Sequence, residues 1–260
     1  MLGMTAQWMG IMGEHANSVA PLLVSTEQGD LKSTFCKSLL PAALQRYYMD
    51  KVDLTSEGRV ERRLAEIGLL NLDEFDKYPS TKMPLLKNLM QMASLSLCKA
   101  YQKNHRSLPR IASFIGTSNR KELLTDPTGS RRFICVMVKR PIDCNGIEHK
   151  QTYAQLKAEI LSGERYWFTK EEEQVLQKNN LSFYRQGPVE DVLRSCYRSV
   201  EKGEEGELRS AAEIFQCLKK KNPSAMRGAN PASLAQILVA VGIERKHTKF
   251  GNVYRVVKIG

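Results

Sequence analysis

Three short apolar segments of this chain are each followed at once by polar residues, and this series constrains the fold more than any other feature. Residues 20–24 lead into a loop and Lys-Ser-Thr, residues 68–72 into Asp-Glu, and residues 111–116 into Thr-Ser-Asn. Short apolar runs that alternate with helical patterns are typical of a parallel sheet covered by helices on both faces. We therefore expect an α/β domain whose ligand lies at the carboxyl ends of these strands.

Hydrophobic periodicity predicts the elements between these strands. Helices are expected at residues 4–17, 33–45 and 59–66, and a further strand at residues 133–138. The helix at 33–45 is the crossover that follows the first strand. Its apolar face consists of Phe35, Leu39, Leu40 and Leu44.

The loop after the first strand has the order of a phosphate-binding loop. It ends in Lys32 and Ser33, an ammonium and a hydroxyl that suit phosphate and magnesium. In the usual pattern, G-x-x-x-x-G-K-[ST], the glycines let backbone amides approach phosphates; here they are replaced by Thr26 and Leu31. The alternative is a basic helix start that binds no nucleotide. The predicted nucleotide-binding residues are Gly29, Asp30, Leu31, Lys32, Ser33 and Thr34.

The residues after the other two strands extend this prediction to an ATPase site. Asp73 is expected to bind magnesium together with Ser33, and Glu74 to orient or deprotonate the attacking water. Asn119 is a neutral amide that suits the γ-phosphate or its water. Asp76 adds a carboxylate that is equally well explained as a solvated helix cap. The three segments together predict a P-loop ATPase that binds ATP and Mg²⁺.

Two adjacent arginines, Arg131 and Arg132, precede the strand at 133–138. A guanidinium is planar and permanently charged, which suits phosphate oxygens. One of them is therefore a candidate arginine finger that acts on the nucleotide of a neighbouring subunit. The alternative is an exposed pair at the start of a strand.

The charge of the chain favours a nucleic-acid partner. The formal net charge is +11, and a field of this sign attracts polyanions, although it also serves solubility alone. Residues 95–110 alternate in polarity around a basic centre, which predicts a β-hairpin whose tip touches single-stranded DNA. An exposed basic loop is the alternative. The candidate DNA contacts are Lys99, Lys103, His105 and Arg106.

The six cysteines lack any C-x-x-C pair and any metal-ligand spacing, which predicts reduced, mostly buried thiols. No apolar run approaches the length of a membrane span, and the start lacks the basic leader of an export signal. We expect a cytoplasmic protein without a membrane partner.

The end of the chain has a different organisation. Residues 201–207 are charged and contain glycine, which predicts a linker. The pattern that follows is helix, helix, β-hairpin, the order of a small α+β winged-helix-like domain. A basic wing with Lys246 and Lys249 suits a DNA backbone, while the alternative is a domain that only packs against a protein. The elements are helices at 210–221 and 231–241 and strands at 242–247 and 252–258.

Several motifs resemble the virulence-associated protein E family, a P-loop domain of mobile-element and phage proteins that is related to superfamily 3 and primase-linked helicases. The similar segments are EQG and KSTF within residues 27–35, NLDEFD at 71–76, LKNLMQ at 86–91, GTSN at 116–119 and TDPTGSRRF at 125–133. Residues 153–173 also resemble the helical extension of that family.

The resemblance implies an AAA+-like core that binds ATP and magnesium, assembles into a ring, and works on DNA during replication or transfer of a mobile element. It assigns Lys32 and Ser33 to the phosphate loop, Asp73 and Glu74 to the acidic pair, Asn119 to the polar sensor, and Arg131 or Arg132 to the finger. Longer members carry a primase-like region upstream, so a primase partner or a longer parent chain is expected.

We thus divide the chain into an ATPase core at 1–140, a helical extension at 141–200 and a winged-helix-like domain at 201–260. The leading hypothesis is a DNA-dependent ATPase motor. A DNA-binding initiator or loader that hydrolyses ATP slowly or not at all, and a structural adaptor for a primase or helicase, are the alternatives.

Overall fold

The computed structural model describes residues 1–11, 13–54, 57–98, 105–125, 130–185, 187–201, 203–249 and 251–259, with the backbone alone at 57–58, 97–98, 105–106 and 130. The chain divides into two compact units, Met1–Tyr184 and Arg185–Gly260. The boundary between them falls inside the region assigned to the helical extension. The charged residues 201–207 lie within the second unit, so the interpretation of this stretch as an interdomain linker is wrong.

The first unit is built on a parallel sheet. Its strands are β1 (Ala20–Val24), β2 (Tyr48–Asp50), β3 (Leu69–Leu72), β4 (Ser94–Cys98), β5 (His105–Pro109), β6 (Ser113–Ser118) and β7 (Phe133–Met137). Five of them form a parallel sheet in the order β2-β3-β6-β1-β7. The predicted parallel α/β sheet is therefore confirmed. The predicted hairpin is confirmed as well, since β4 and β5 pair antiparallel.

Helices cover both faces of this sheet. They are α1 (Leu2–Trp8), α2 (Lys32–Ser38), α3 (Glu57–Glu66), α4 (Met83–Gln91), α5 (His149–Leu161) and α6 (Lys170–Asn180). Side chains alternate between the faces along each strand. Leu22 and Leu70 join a core with residues of α3 and α4, while Leu23 and Leu69 join a core with residues of α1, α2 and α5. The alternation explains why the strands read as continuous apolar runs.

The helix predicted at 4–17 is shorter in the structure, because α1 ends at Trp8. Gly10 has φ of 68°, a left-handed conformation that suits glycine. Its amide donates to Gln7 O over 3.1 Å, and the Ile11 amide donates to Ala6 O over 3.0 Å. This is the Schellman arrangement, which satisfies the last carbonyls of the helix.

The crossover helix predicted at 33–45 is also shorter, because α2 ends at Ser38. Pro41 follows soon after, and a residue before proline disfavours the helical conformation. The chain continues as a 3₁₀ segment, Ala42–Tyr47. Side chains of helix α5 contact the backbone carbonyl groups at the end of α2. His149 Nε2 lies 2.7 Å from Ser38 O, and Tyr153 Oη donates to Leu39 O over 2.9 Å.

Glycine at position 116 lets the three central strands lie close together. An added Cβ there would lie 2.6 Å from Leu22 Cδ2 on β1 and 3.1 Å from Leu72 O on β3. The pairing of β1 with β6 extends past Val24, because the Ser25 amide donates to Ser118 O over 3.1 Å. The carboxyl ends of β1, β3 and β6 are thereby held side by side.

The described part of the second unit combines three helices with an antiparallel sheet. Its elements are α7 (Pro188–Cys196), β8 (Tyr197–Ser199), β9 (Glu207–Ser210), α8 (Ala211–Lys221), α9 (Pro231–Ala240), β10 (Glu244–Thr248) and β11 (Gly251–Lys258). Strand β11 pairs with β10, β8 and β9. Ser210 and Asn230 cap α8 and α9 with reciprocal hydrogen bonds. The two helices and the hairpin predicted here are confirmed.

Candidate functional site

The carboxyl ends of β1, β3 and β6 form one edge of the sheet, where an open pocket of about 320 Å³ lies. Val24 pairs with Ser118 and Leu72 with Gly116, so the residues after these strands are neighbours. The six predicted nucleotide-binding residues and four predicted catalytic residues all line this pocket. Its lining consists of Gln28, Gly29, Asp30, Leu31, Lys32, Ser33, Thr34, Asp73, Glu74, Thr117 and Asn119.

Asp73 accepts two hydrogen bonds on one carboxylate oxygen. Ser33 Oγ donates to Asp73 Oδ1 over 2.8 Å, and Thr117 Oγ1 donates to the same atom over 2.6 Å. Thr117 is buried, and its hydroxyl also accepts from the Glu74 amide over 3.3 Å. Hydroxyl and carboxylate oxygens are the ligands that Mg²⁺ prefers. Ser33 and Asp73 therefore fit the role of metal ligands that the sequence predicts for them.

Side chains within the loop after β1 hold it in place. Asp30 and Ser25 are both buried, and Ser25 Oγ donates to the Asp30 carboxylate. The same hydroxyl accepts from the Glu27 amide over 3.1 Å. Lys32 is buried too, and its Nζ donates to Glu27 O over 3.2 Å. The ammonium thus lies across the loop, at the wall of the pocket.

Leu31 occupies the position of the second missing glycine, and its backbone has the conformation that glycine favours. Its φ is 57° and ψ is 23°, in the left-handed region, and its side chain is exposed. For a residue with a Cβ this conformation costs about 1–2 kcal/mol. Gly29 in the same loop has φ of 91°. The loop therefore turns where a glycine-rich loop would, and Leu31 adopts its conformation at an energetic cost.

Glu74 also has a left-handed backbone, with φ of 53°. Lys51 Nζ donates to Glu74 Oε2 over 3.1 Å, and Lys77 Nζ donates to Glu74 Oε1. These two ammonium groups, Lys77 first and Lys51 second, lower the pKa of the Glu74 carboxyl group below its ordinary value. The carboxylate predicted to handle the attacking water is thus engaged by two cations on both of its oxygens.

Asn119 and Asp76 differ in their surroundings. Asn119 directly follows β6, is exposed, and lines the pocket. Asp76 is not among the residues that line the pocket. The interpretation of Asp76 as a solvated helix cap is wrong, because its side chain is only 8% exposed. It accepts from Ser118 Oγ over 2.9 Å and lies 3.6 Å from Arg120 Nε. Asp76 therefore fixes the chain just before Asn119.

The two candidate finger residues lie in a short 3₁₀ segment, Ser130–Arg132, directly before β7. Arg131 forms an ion pair with Glu173 of α6, with 3.2 Å between Nη1 and Oε2. Arg132 is only partly exposed. Neither arginine is among the residues that line the pocket of its own chain.

The predicted DNA contacts of the hairpin lie mostly beyond what the structure describes. Lys99 and Lys103 fall outside the described residues. The backbones of His105 and Arg106 are on β5, opposite Cys98 and Leu97 of β4.

In the second unit, Lys246 and Lys249 are both exposed. Lys246 is on β10, with its Nζ 3.9 Å from Glu244 Oε1, and Lys249 follows β10 in the turn toward β11. His247 Nδ1 lies 3.0 Å from Asn252 Oδ1 across the same hairpin. The basic turn predicted from the sequence is therefore the exposed end of a β-hairpin.

The sequence did not predict Gln28 of the pocket lining, nor four residues that contact or orient groups of the site: Ser25, Thr117, Lys51 and Lys77. Ser25 and Thr117 directly follow the apolar runs at 20–24 and 111–116. A polar residue immediately after such a run is therefore a sequence signal that could have identified both. The two lysines carry no such signal. Lys51 reaches Glu74 because β2 pairs with β3, and β2 is too short to be detected by periodicity.

Within the described parts of the chain, no group of three or more His, Cys, Asp or Glu side chains is placed to hold a metal ion. No described helix is both long enough and apolar enough to cross a membrane.

Comparison with known families agrees with the motifs. The virulence-associated protein E-like domain matches residues 15–185, and a domain of unknown function described from a B. theta gene, DUF3874, matches residues 186–256. The chain belongs to the virulence-associated protein E-like family. The border between the two matches lies within one residue of the border between the two compact units.

Among solved structures, an apo structure of the NrS-1 C-terminal region (305–718) is similar over 99% of this chain and 71% of that chain, with 12% identity and a TM-score of 0.42. An A-form apo structure of the same region has the same coverage and identity and a TM-score of 0.39. A search of curated proteins finds no match.

Proposed function

We propose that this protein is a P-loop ATPase of the AAA+-like class that acts on DNA during replication or transfer of a mobile element. The observation that carries the proposal is the convergence of Lys32, Ser33, Asp73, Thr117 and Asn119 on one pocket at the ends of three adjacent strands. Ligands of α/β proteins bind at this edge of a sheet.

In this proposal each element of the pocket has a role toward ATP and Mg²⁺. Lys32 contacts the β- and γ-phosphates, and Ser33 and Asp73 hold the metal. Mg²⁺ held by these residues would supply charge neutralisation on the phosphates of ATP. Glu74 orients the attacking water, and Asn119 donates to the γ-phosphate or to that water. Thr117 keeps the Asp73 carboxylate oriented through its hydrogen bond.

The candidate arginine finger belongs to the proposed ring assembly. In that ring, Arg131 or Arg132 would reach the nucleotide of a neighbouring copy; neither lines the pocket of its own chain. In the Arg131–Glu173 ion pair the arginine side chain is exposed and the glutamate side chain partly exposed, so the pair opens at small cost. Substituting Arg131 and Arg132 one at a time identifies which of them acts as the finger.

DNA is the proposed partner because of the charge and the family. The net charge of +11 favours a polyanion. Within the order α7, β8, β9, α8, α9, β10, β11 of the second unit, the series α8, α9, β10, β11 suits a winged helix, with Lys246 and Lys249 on its wing. A primase supplied by a partner or by a longer chain remains part of the proposal.

Two observations favour the second candidate function, a DNA-binding initiator or loader that hydrolyses ATP slowly. Leu31 adopts a strained conformation in the phosphate loop, and Glu74 is engaged by Lys51 and Lys77. The fold of the site is the same in both functions. They differ in the rate of turnover.

The test is Mg²⁺-dependent ATP hydrolysis by the wild-type chain and by Lys32→Ala, each with and without single-stranded DNA. Lys37→Ala is the matched control, because Lys37 is exposed on the same helix and does not line the pocket. The motor function predicts turnover that DNA stimulates, that Lys32→Ala abolishes and that Lys37→Ala retains. ATP binding without turnover supports the initiator. A protein that shows no ATP binding and no turnover would contradict both candidate functions.

A separate measurement tests the DNA partner. Binding of a fluorescent single strand is titrated at several salt concentrations for the wild type and for Lys246→Ala/Lys249→Ala. The proposal predicts weaker binding by the double variant and a shallower salt dependence. Absence of binding, or binding without salt dependence in both proteins, favours the structural adaptor.

A further inference from the structure

Backbone strain in the described chain is concentrated at one place. Three of the described non-glycine residues have a positive φ, namely Leu31, Lys51 and Glu74, with values of 57°, 61° and 53°. Leu31 and Glu74 line the pocket at the strand ends, and Lys51 and Glu74 line a second pocket beside it. Such conformations persist where the surrounding structure enforces them, and they cluster at functional sites. Leu31 belongs to the phosphate loop, which leaves Lys51 and Glu74 to be explained.

Glu74 lies between two pockets. One is the proposed nucleotide pocket, and the other is an adjoining cavity of about 330 Å³. Lys51, Lys77 and Lys82 are among the residues that line the adjoining cavity. Both carboxylate oxygens of Glu74 are engaged by Lys51 and Lys77, so its side chain is bound to the cations of that cavity.

The positions of both lysines are fixed by their backbones. The Lys51 amide donates to Asn71 O over 2.9 Å, which continues the pairing of β2 with β3 up to the strained residue. Lys77 ends the 3₁₀ segment Phe75–Lys77 that begins directly after Glu74, and its amide donates to Glu74 O over 2.8 Å. The two ammonium groups therefore reach Glu74 from different elements, the end of β2 and the 3₁₀ segment after β3.

We propose that Lys51 and Lys77 are positioning residues that hold the Glu74 carboxylate in a resting position, and that ATP turnover requires its release toward the nucleotide pocket. This inference rests on the proposed ATPase function. A carboxylate whose two oxygens both accept from ammonium groups must give up at least one of them to orient a water molecule. The pairs are partly exposed, so each opens at small cost.

The experiment measures ATP affinity and turnover without DNA for the wild type, Lys51→Met, Lys77→Met and the double variant. Lys82→Met is the matched control, because it removes a positive charge from the same cavity and leaves both Glu74 ion pairs in place. Lys51→Arg keeps the positive charge at position 51 and tests whether the charge is enough to hold the Glu74 carboxylate. Each single Met variant is expected to raise kcat about fivefold, as suits the loss of one partly exposed ion pair, with KM for ATP unchanged.

Every outcome decides between the two proposals. ATP binding in all variants, with kcat raised by Lys51→Met and Lys77→Met and not by Lys82→Met or Lys51→Arg, supports the resting position. ATP binding with kcat unchanged, lowered or absent in the Met variants overturns it and leaves the nucleotide site standing. Failure of every variant and of the wild type to bind ATP overturns the proposed function, and the resting position with it.

Discussion

The loop after β1 and the turn after β3 face the same pocket and are held in different ways. In the loop, buried groups form the contacts: Ser25 with Asp30, and Lys32 with a backbone carbonyl. In the turn, Glu74 is held by Lys51 and Lys77, whose side chains are 59% and 67% exposed. Buried hydrogen bonds are costly to break, whereas exposed ion pairs contribute little.

This difference separates a fixed part of the site from a movable part. The loop has to present Lys32 and Ser33 to phosphates without its usual glycines, and it does so with side-chain contacts that are made on folding. The turn keeps Asp73 fixed through Ser33 and Thr117 while the neighbouring Glu74 is bound by partners that release it easily. Substitutions in the two parts should therefore affect different quantities.

The largest effect is expected for Asp73→Asn. Asparagine can still accept from Ser33 and Thr117, so the fold is kept, but the negative charge toward the metal is lost. Turnover should fall about 10²–10³-fold, as for other losses of a group that stabilises the transition state electrostatically. Steady-state kcat measures the loss, and a thermal melt of the variant checks the fold. A variant with wild-type kcat would remove Asp73 from the mechanism.

Ser25→Ala should produce the largest change in stability within the loop. The buried Asp30 carboxylate loses its Ser25 donor, which should lower the free energy of unfolding by about 1–3 kcal/mol. Urea denaturation measures the change. Ser38→Ala is the control, because Ser38 Oγ donates only to the Phe35 carbonyl at the end of α2. Equal effects in both variants would contradict a special role for Ser25.

Leu31→Gly and Gly29→Ala should shift stability in opposite directions. Glycine relieves the left-handed strain at position 31 and should stabilise the fold by about 1 kcal/mol, while alanine at position 29 introduces the same strain and should destabilise it by about as much. No heavy atom of the described residues lies within 4 Å of a Cβ built at position 29, so the backbone conformation causes the effect. The urea midpoints of the pair provide the measurement, and shifts of the same sign would refute the strain.

The smallest effect is expected for the stability of Lys51→Met. The ion pair to Glu74 is exposed enough that its loss should leave the urea midpoint within experimental error of the wild type, even where kcat changes. A clear drop in the midpoint would show that the turn after β3 is as rigidly held as the loop after β1. It would also make release of Glu74 costly.

The sequence predicts the part of the site that depends on strand order and composition. Asp73 directly follows an apolar run, and Lys32 and Asn119 come a few residues after theirs; parallel strands bring the carboxyl ends of these runs together. The helix ends were less predictable, since Gly10 and Pro41 stop α1 and α2 while the apolar pattern continues. Glycine and proline effects on the backbone compete here with periodicity, and the backbone effects prevail.

The contacts between distant segments were not predictable from periodicity. Lys51 meets Glu74 only because β2 joins the sheet beside β3, and three residues give no periodic signal. The bond between Ser25 and Asp30 likewise depends on how a loop folds, which a motif with altered glycines does not specify. The boundary of the second unit was missed because α7 and β8 join the fold of that unit before the charged stretch begins.

The most direct test of the nucleotide site is equilibrium binding of ATP, measured by titration calorimetry with Mg²⁺ and with a chelator, for the wild type, Lys32→Ala and Lys37→Ala. The account predicts Mg²⁺-dependent binding by the wild type and Lys37→Ala, and an affinity at least about tenfold lower for Lys32→Ala, the equivalent of about 1.4 kcal/mol. Equal affinity of all three proteins, or no binding by any of them, would contradict the assignment of this pocket to ATP.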